Sequence, residues 1–190
     1  MSTIELTATN IAFKEWGVIC AALGSGKQTL ILRKGGIHEG RTGFRVAHRE
    51  FWLLPTQFHA APEALVPEAQ ALFPEVTVRP GEFAIRQFAV VEEVLELHRE
   101  EQALALQGLH LWSEETVKAR FAYKQPGLFL LVTRIHQTQR ELRVLETPHM
   151  AGCKSWVELP EAIDTLELTP VLSDDAFRHA VEAIHARLRQ

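Results

Sequence analysis

Residues Leu128-Phe129-Leu130-Leu131-Val132-Thr133 form an uncharged apolar run closed by β-branched side chains, and no other stretch constrains the chain as much. Such a run is too short for a buried helix and reads as the strongest strand in the sequence. Leu142 to Leu145 reads as another strand. Phe51-Trp52-Leu53-Leu54 reads as a buried strand stopped by Pro55, and the first half of residues 83–97 as a further one. Helical patterning is sparser. Residues 62–73 place Leu65, Ala69, Leu72 and Phe73 at helical spacing, with Pro62 suited to a first turn. Ser113 caps a helix that opens with Glu114 and Glu115. A carboxy-terminal helix follows from the Ser173 cap, Asp174 and Asp175 in its first turn, and Phe177, Val181, Ile184 and Leu188 along one face. Strands and helices do not alternate regularly. The expectation is therefore α+β: a mixed, mainly antiparallel sheet with flanking helices, one of them an amphipathic C-terminal helix.

Length and composition bound the rest. At 190 residues, 46% hydrophobic and 23% charged, the chain suits one well-filled domain spanning residues 1–190. Pro74, Pro80 and Gly81 mark a candidate seam between subdomains near residues 74–81. The amino terminus lacks the basic and apolar regions of a signal peptide, and no apolar run reaches the roughly 20 residues of a membrane helix. The cytoplasm is the expected location, with no membrane partner. Cys20 and Cys153 stand alone, without zinc-ligand spacing, and read as reduced thiols. Lys154 beside Cys153 could favour a thiolate, but no triad accompanies it.

Residues 16–23 and Thr29-Leu30-Ile31-Leu32 flank Gly24-Ser25-Gly26-Lys27, and two apolar runs around a glycine-rich tetrad predict a hairpin. A phosphate-binding loop fails here, because Ala21 stands where glycine is needed and Gln28 where Ser or Thr is needed.

Charge is unevenly spread. Between residues 27 and 50, Lys27, Arg33, Lys34, Arg41, Arg45 and Arg49 stand against Glu39 and Glu50, a local charge of +4. The whole chain carries -4, so the remainder carries -8. A basic, arginine-rich segment on an acidic chain suits an anion, and Gly35, Gly36, Gly40 and Gly43 would let backbone amides approach it. The alternative is a solvated loop whose arginines pair with acidic neighbours. The expected nucleic-acid or anion site comprises Arg33, Lys34, Arg41, Arg45, Arg49 and Lys154, with Trp52 or Trp112 for stacking. Tryptophans more often pack in a core. The segment also holds His38, Glu39, His48 and Glu50, with His59 nearby. These are candidate ligands of a divalent metal, or acid–base groups of a hydrolase acting on a phosphorylated substrate.

Phe13-Lys14-Glu15-Trp16, Leu32-Arg33-Lys34-Gly35-Gly36-Ile37-His38-Glu39, His48-Arg49-Glu50-Phe51-Trp52-Leu53 and Ala151-Gly152-Cys153-Lys154-Ser155-Trp156-Val157 resemble the motifs of a bacterial family of domains of unknown function, number 1802, common in cyanobacteria. The resemblance implies no activity. Some members of that family are associated with restriction-endonuclease-like domains, which implies an accessory or reader role beside a nuclease partner acting on DNA. The layout of residues 16–33 is also similar to small β-barrel domains that read RNA or modified bases, although Leu32 stands where their characteristic glutamate would be. The expectation that emerges is a non-catalytic nucleic-acid-binding or accessory domain, with a metal-dependent hydrolase or a structural, partner-binding protein as alternatives. A composite site is expected too: Arg33 or Lys34 and Lys154 bordering one groove, walled by Phe51-Trp52 and floored by residues 128–133.

Overall fold

Strands expose backbone donors and acceptors that only neighbouring strands can satisfy, so the apolar runs must find one another. In the computed structural model, which describes residues 4–34, 46–56, 62–75, 79, 81–152 and 154–189, they do so in one mixed sheet. The elements are β1 (Ala8–Trp16), α1 (Gly17–Gly24), β2 (Leu30–Arg33), β3 (Glu50–Thr56), β4 (Glu82–Leu97), α2 (Glu100–Leu104), α3 (Glu114–Ala122), β5 (Leu128–Leu145), β6 (Trp156–Asp164), β7 (Thr169–Pro170) and α4 (Asp174–Leu188). The hydrogen-bonded order is β2-β5-β4-β3-β1-β6, with β7 pairing to β5. Among the described residues only β1 and β3 run parallel; every other pairing is antiparallel. The expected α+β class is what is found. Strands from before and after the 74–81 stretch share this sheet.

Its axis is the β4–β5 ladder, which runs from Glu82 opposite Leu145 to Leu97 opposite Leu128. The two short runs read from the sequence at 128–133 and 142–145 are one 18-residue strand. Between them, buried Arg134, Ile135 and His136 lead into a mostly exposed polar stretch from Gln137 to Glu141, which a search for apolar runs passes over. Two register shifts, at Ile85/Gln87 and Val91/Glu93, bend the ladder. The sheet curls: Arg33 of β2 donates from Nη2 to the carbonyl of Lys14 on β1 at 2.9 Å, although three strands separate them in the order. One face encloses a core of Phe13, Ile19, Leu23, Leu30, Phe51 and Leu130, among others. A second cluster, including Ala12, Trp52, Phe88 and Met150, lies on the other face.

The expected hairpin at residues 16–32 is replaced by helix α1. A segment apolar on all sides is buried either as strand or as helix, and periodicity cannot choose between them. Six of its eight residues are buried. The glycine tetrad ends the helix. Gly26 takes φ +73°, its amide bonds Leu23 O at 3.1 Å, and the Lys27 amide bonds Ala22 O at 3.0 Å. Those two bonds define a Schellman cap. Residues 62–73 bury Leu65, Ala69 and Leu72 as expected, but as two 3₁₀ segments, Pro62–Ala64 and Pro67–Glu75, because Pro67 cannot donate to a continuous helix. Pro55 does not stop β3. The paired part of β4 ends opposite Trp52, so no donor is needed on that side of Pro55. The helices at Ser113 and Ser173 are capped as expected, each serine accepting from the amide three residues on. No helix among the described residues is long and apolar enough to cross a membrane.

The cap makes a stability prediction. A Cβ at Gly26 would sit 2.6 Å from Leu172 Cδ2, on top of the left-handed backbone. Gly26→Ala should destabilise the chain by about 2 kcal/mol or more. Urea denaturation measures this, and a change under about 0.5 kcal/mol, the level of an ordinary surface substitution, would contradict it.

Candidate functional site

The curl of the sheet brings Arg33 against the end of β1. Its guanidinium lies 4.4 Å above the Phe13 ring, and Nη1 is 3.6 Å from Glu15 Oε2. Glu15 is buried on an interior strand position; Oε1 accepts the Trp16 amide at 2.8 Å, while Oε2 has no hydrogen bond and faces Arg33. Beside it, Trp16 meets Trp112 edge-on at 4.8 Å. Trp112 is positioned by a short backbone ladder: Val66 N donates to Leu111 O, Ser113 N donates to Ala64 O, and Leu111 N bonds Gln28 Oε1.

Onto this pair α3 delivers Arg120. Its guanidinium stacks 3.5 Å from the Trp112 ring centre and 6.0 Å from that of Trp16. No hydrogen bond or ion pair holds it among the described residues. Burial lowers its pKa to about 10, Glu15 opposes that shift, and Arg33 adds to it. This largely buried cluster, called the pit below, gathers two guanidinium groups and one carboxylate. Its other titratable groups do not balance the charge. Burial pushes the Cys20 thiol well up, so it stays protonated, and lowers His110 to about 4, so it stays neutral. Among the described residues one positive charge is left over in a poorly solvated place, where an unpaired ion is unfavourable.

The residues singled out in the sequence fare differently. Arg33 lies at the pit. Lys34 turns away, and its Nζ donates to the carbonyls of Phe121 (2.9 Å), Gly127 (2.8 Å) and Gln125. All three of its N–H bonds are used to close the end of α3, which leaves none for a phosphate. Arg49 Nη1 donates to the carbonyls of Val91 and Glu92. Lys154 is exposed. Trp52 is fully buried, edge-on to Phe88 at 5.0 Å, with Nε1 donating to Thr9 O. Trp112 is 1% exposed. Neither ring has a face for a base to stack on. Arg41, Arg45, His38, Glu39, His59 and Cys153 lie outside the described residues. His48 packs on Trp156 at 5.3 Å, whereas the Glu50 carboxylate accepts the amides of Glu5 and Leu6 at 2.7 and 2.9 Å. Among the described residues no three His, Cys, Asp or Glu side chains converge on a metal position.

The two motifs of the expected composite site are joined by packing, with Lys154 exposed. The Arg33 motif and Ser155-Trp156 approach each other through β1: Phe13 carries Arg33 and meets Trp156 at 4.8 Å, and Lys14 N donates to Ser155 O at 2.8 Å. Phe51 shares the packing at 4.9 Å from Trp156. What joins the motifs is a packed aromatic cluster. Trp52 is not a wall of it, because neighbours on a strand point to opposite faces.

Sequence reasoning gave Glu15 no role, although it stood in a quoted motif as a carboxylate inside an apolar strand. Arg120 carried no local signal at all.

The model of the family described as Domain of unknown function (DUF1802) matches residues 12–183. Two crystal structures are similar at low identity, both of ASCH from Zymomonas mobilis. One, of a point mutant, gives a TM-score of 0.46 at 16% identity over 90% of this chain and 94% of that one. The other gives 0.41 at 14% identity over 90% and 93%. No curated protein sequence matches.

Two predictions test the pit. Glu15→Gln leaves two guanidinium groups facing no anion and should destabilise the fold by about 3 kcal/mol in urea denaturation; an unchanged midpoint would show the pair to be unimportant. His110 supplies the second. Its pKa falls from 6.5 to about 4 on folding, so between those values only the unfolded chain takes up the proton. Its contribution is therefore flat above about pH 6.5, is lost as pH drops toward 4, and amounts to about 3 kcal/mol. The stability difference between parent and His110→Gln should shrink by that amount across this window. A constant difference would contradict the assignment.

Proposed function

For this chain, which belongs to the DUF1802 family of domains of unknown function, we propose non-catalytic binding of a nucleic acid through its phosphates. Arg120 and Arg33 receive one phosphate at the pit. The observation that carries this reading is Arg120 itself: a largely buried guanidinium, stacked on Trp112, without a hydrogen-bond acceptor among the described residues. A phosphate oxygen supplies both the missing acceptor and the missing negative charge. Arg41, Arg45, Arg49 and Lys154 extend the contact along the basic segment. Partly exposed Trp16 offers the ring edge next to the bound group. In this reading the nuclease association implied by the family resemblance makes the chain the reader beside a cutting partner. The hydrolase alternative loses support from the separate commitments of His48 and Glu50.

The test is fluorescence anisotropy of the full chain with single-stranded and duplex DNA and RNA across a salt series. Log affinity should fall linearly with log salt, with a slope of about -0.9 per duplex phosphate contacted. Arg120→Met should weaken binding roughly tenfold or more. The same substitution removes an uncompensated charge and keeps the stack on Trp112, so it should leave stability unchanged or raise it by about 1 kcal/mol or more. Binding indifferent to salt, or to Arg120→Met, would refute the reading.

A further inference from the structure

The opposite face of the sheet carries a concavity, independent of the arginine pit and of the function proposed for it. It is a cleft of about 410 Å³ between the amino-terminal segment, β5 and the loop that leads to β7. Its far wall is built by tethering. Glu50 accepts the amides of Glu5 and Leu6, Thr165 N donates to Thr7 O at 3.0 Å, and Thr165 Oγ1 donates to Leu6 O. Its floor is Arg134 and His136, two positions apart on β5 and therefore on one face.

Both floor residues are 7% exposed, and both hold a buried nitrogen without a hydrogen-bond partner, Arg134 Nε and His136 Nδ1. Buried polar groups are ordinarily satisfied, so two orphans in one cleft call for a partner. The rim is the reverse. Leu6 and Leu166, 44% and 70% exposed, are two of the four large apolar side chains exposed among the described residues. Both line this cleft.

Charge narrows the class of ligand. Arg134 is already paired with Asp174, Glu5 adds a negative charge at the wall, and His136 is held neutral by burial and by Arg134. The lining thus carries no free positive charge for a phosphate or carboxylate, and the orphaned Arg134 Nε is an N–H donor, which a cation cannot use. What fits is an uncharged, flat molecule with apolar faces and a donor–acceptor edge. The faces lie against Leu6 and Leu166, and the edge meets His136 and Arg134.

We propose that this cleft binds an uncharged nitrogen heterocycle of the nucleobase class, with His136 reading its polar edge. Nucleosides titrated into the full chain by calorimetry or protein-observed NMR should bind with Kd on the order of 0.1–1 mM. Leu166→Asp, at an exposed position with little risk to folding, should weaken them at least about tenfold, and so should His136→Phe, which keeps the ring and removes both nitrogens. Saturating inorganic phosphate should leave these affinities unchanged, which separates this cleft from the pit. Absence of nucleoside binding into the millimolar range would overturn the proposal. Binding unmoved by both variants, tighter binding of nucleoside monophosphates that the two variants weaken, or equal binding of indole to parent and His136→Phe would each overturn it as well.

Discussion

Arg33 reaching across the mouth of the curled sheet is the contact from which the rest of the arrangement follows. Backbone pairing ends at β2 on one edge and β6 on the other. Among the described residues, Arg33 bridges the gap between β2 and β1 through a hydrogen bond to Lys14 O, the Glu15 carboxylate and the Phe13 ring. An edge strand left open is a template for unwanted pairing, and a guanidinium that caps the neighbouring strand's carbonyl blunts it. Placing that ion inside requires a counter-ion, and Glu15 is the counter-ion. Lys34 repeats the logic one residue later by satisfying the carbonyls at the end of α3. The basic doublet read as a phosphate contact is thus first a clasp.

That double duty explains what the sequence could and could not reveal. Elements with a local cause were legible: the Ser113 and Ser173 caps, the buried face of α4 with Phe177 and Ile184, and the apolar strands. Residues 17–24 were not, because a segment without polar residues carries no phase. The glycine at 26 signals a left-handed turn, and such a turn serves a hairpin and a helix cap equally well. β1 was missed since its apolar positions are interrupted by Lys14 and Glu15, whose side chains meet Met150, Gly152 and Arg33, residues distant in the sequence.

The site divides in the same way. Local charge density led to Arg33 and it lies at the pit. It also led to Lys34, because a count of charges cannot know which carbonyls await a lysine. His48 and Glu50 looked like a pair by proximity in sequence, yet one packs on an aromatic ring and the other anchors the amino-terminal segment. Trp52, the neighbour of Phe51, faces the second core by strand alternation alone. Arg120 became visible only through tertiary structure, where the Trp16–Trp112 pair gives its guanidinium a surface and none of the described residues gives it an acceptor.

The two arginine sites follow from one sheet having two differently filled faces. Inside the curl, Arg33 is offset by Glu15, and α3 then adds a second guanidinium without adding a second acid. On the other face Arg134 is paired with Asp174 from the first turn of α4, while Arg134 Nε and His136 Nδ1 stay without hydrogen-bond partners. The first arrangement lacks a charge and the second lacks only hydrogen bonds. A low-dielectric site that lacks a charge selects ions, because neutral ligands cannot offset the field. A site that lacks only hydrogen bonds rejects ions, because it offers nothing to replace their hydration. The same sheet therefore presents complementary preferences on its two sides, set by which helix brings which partner to an arginine.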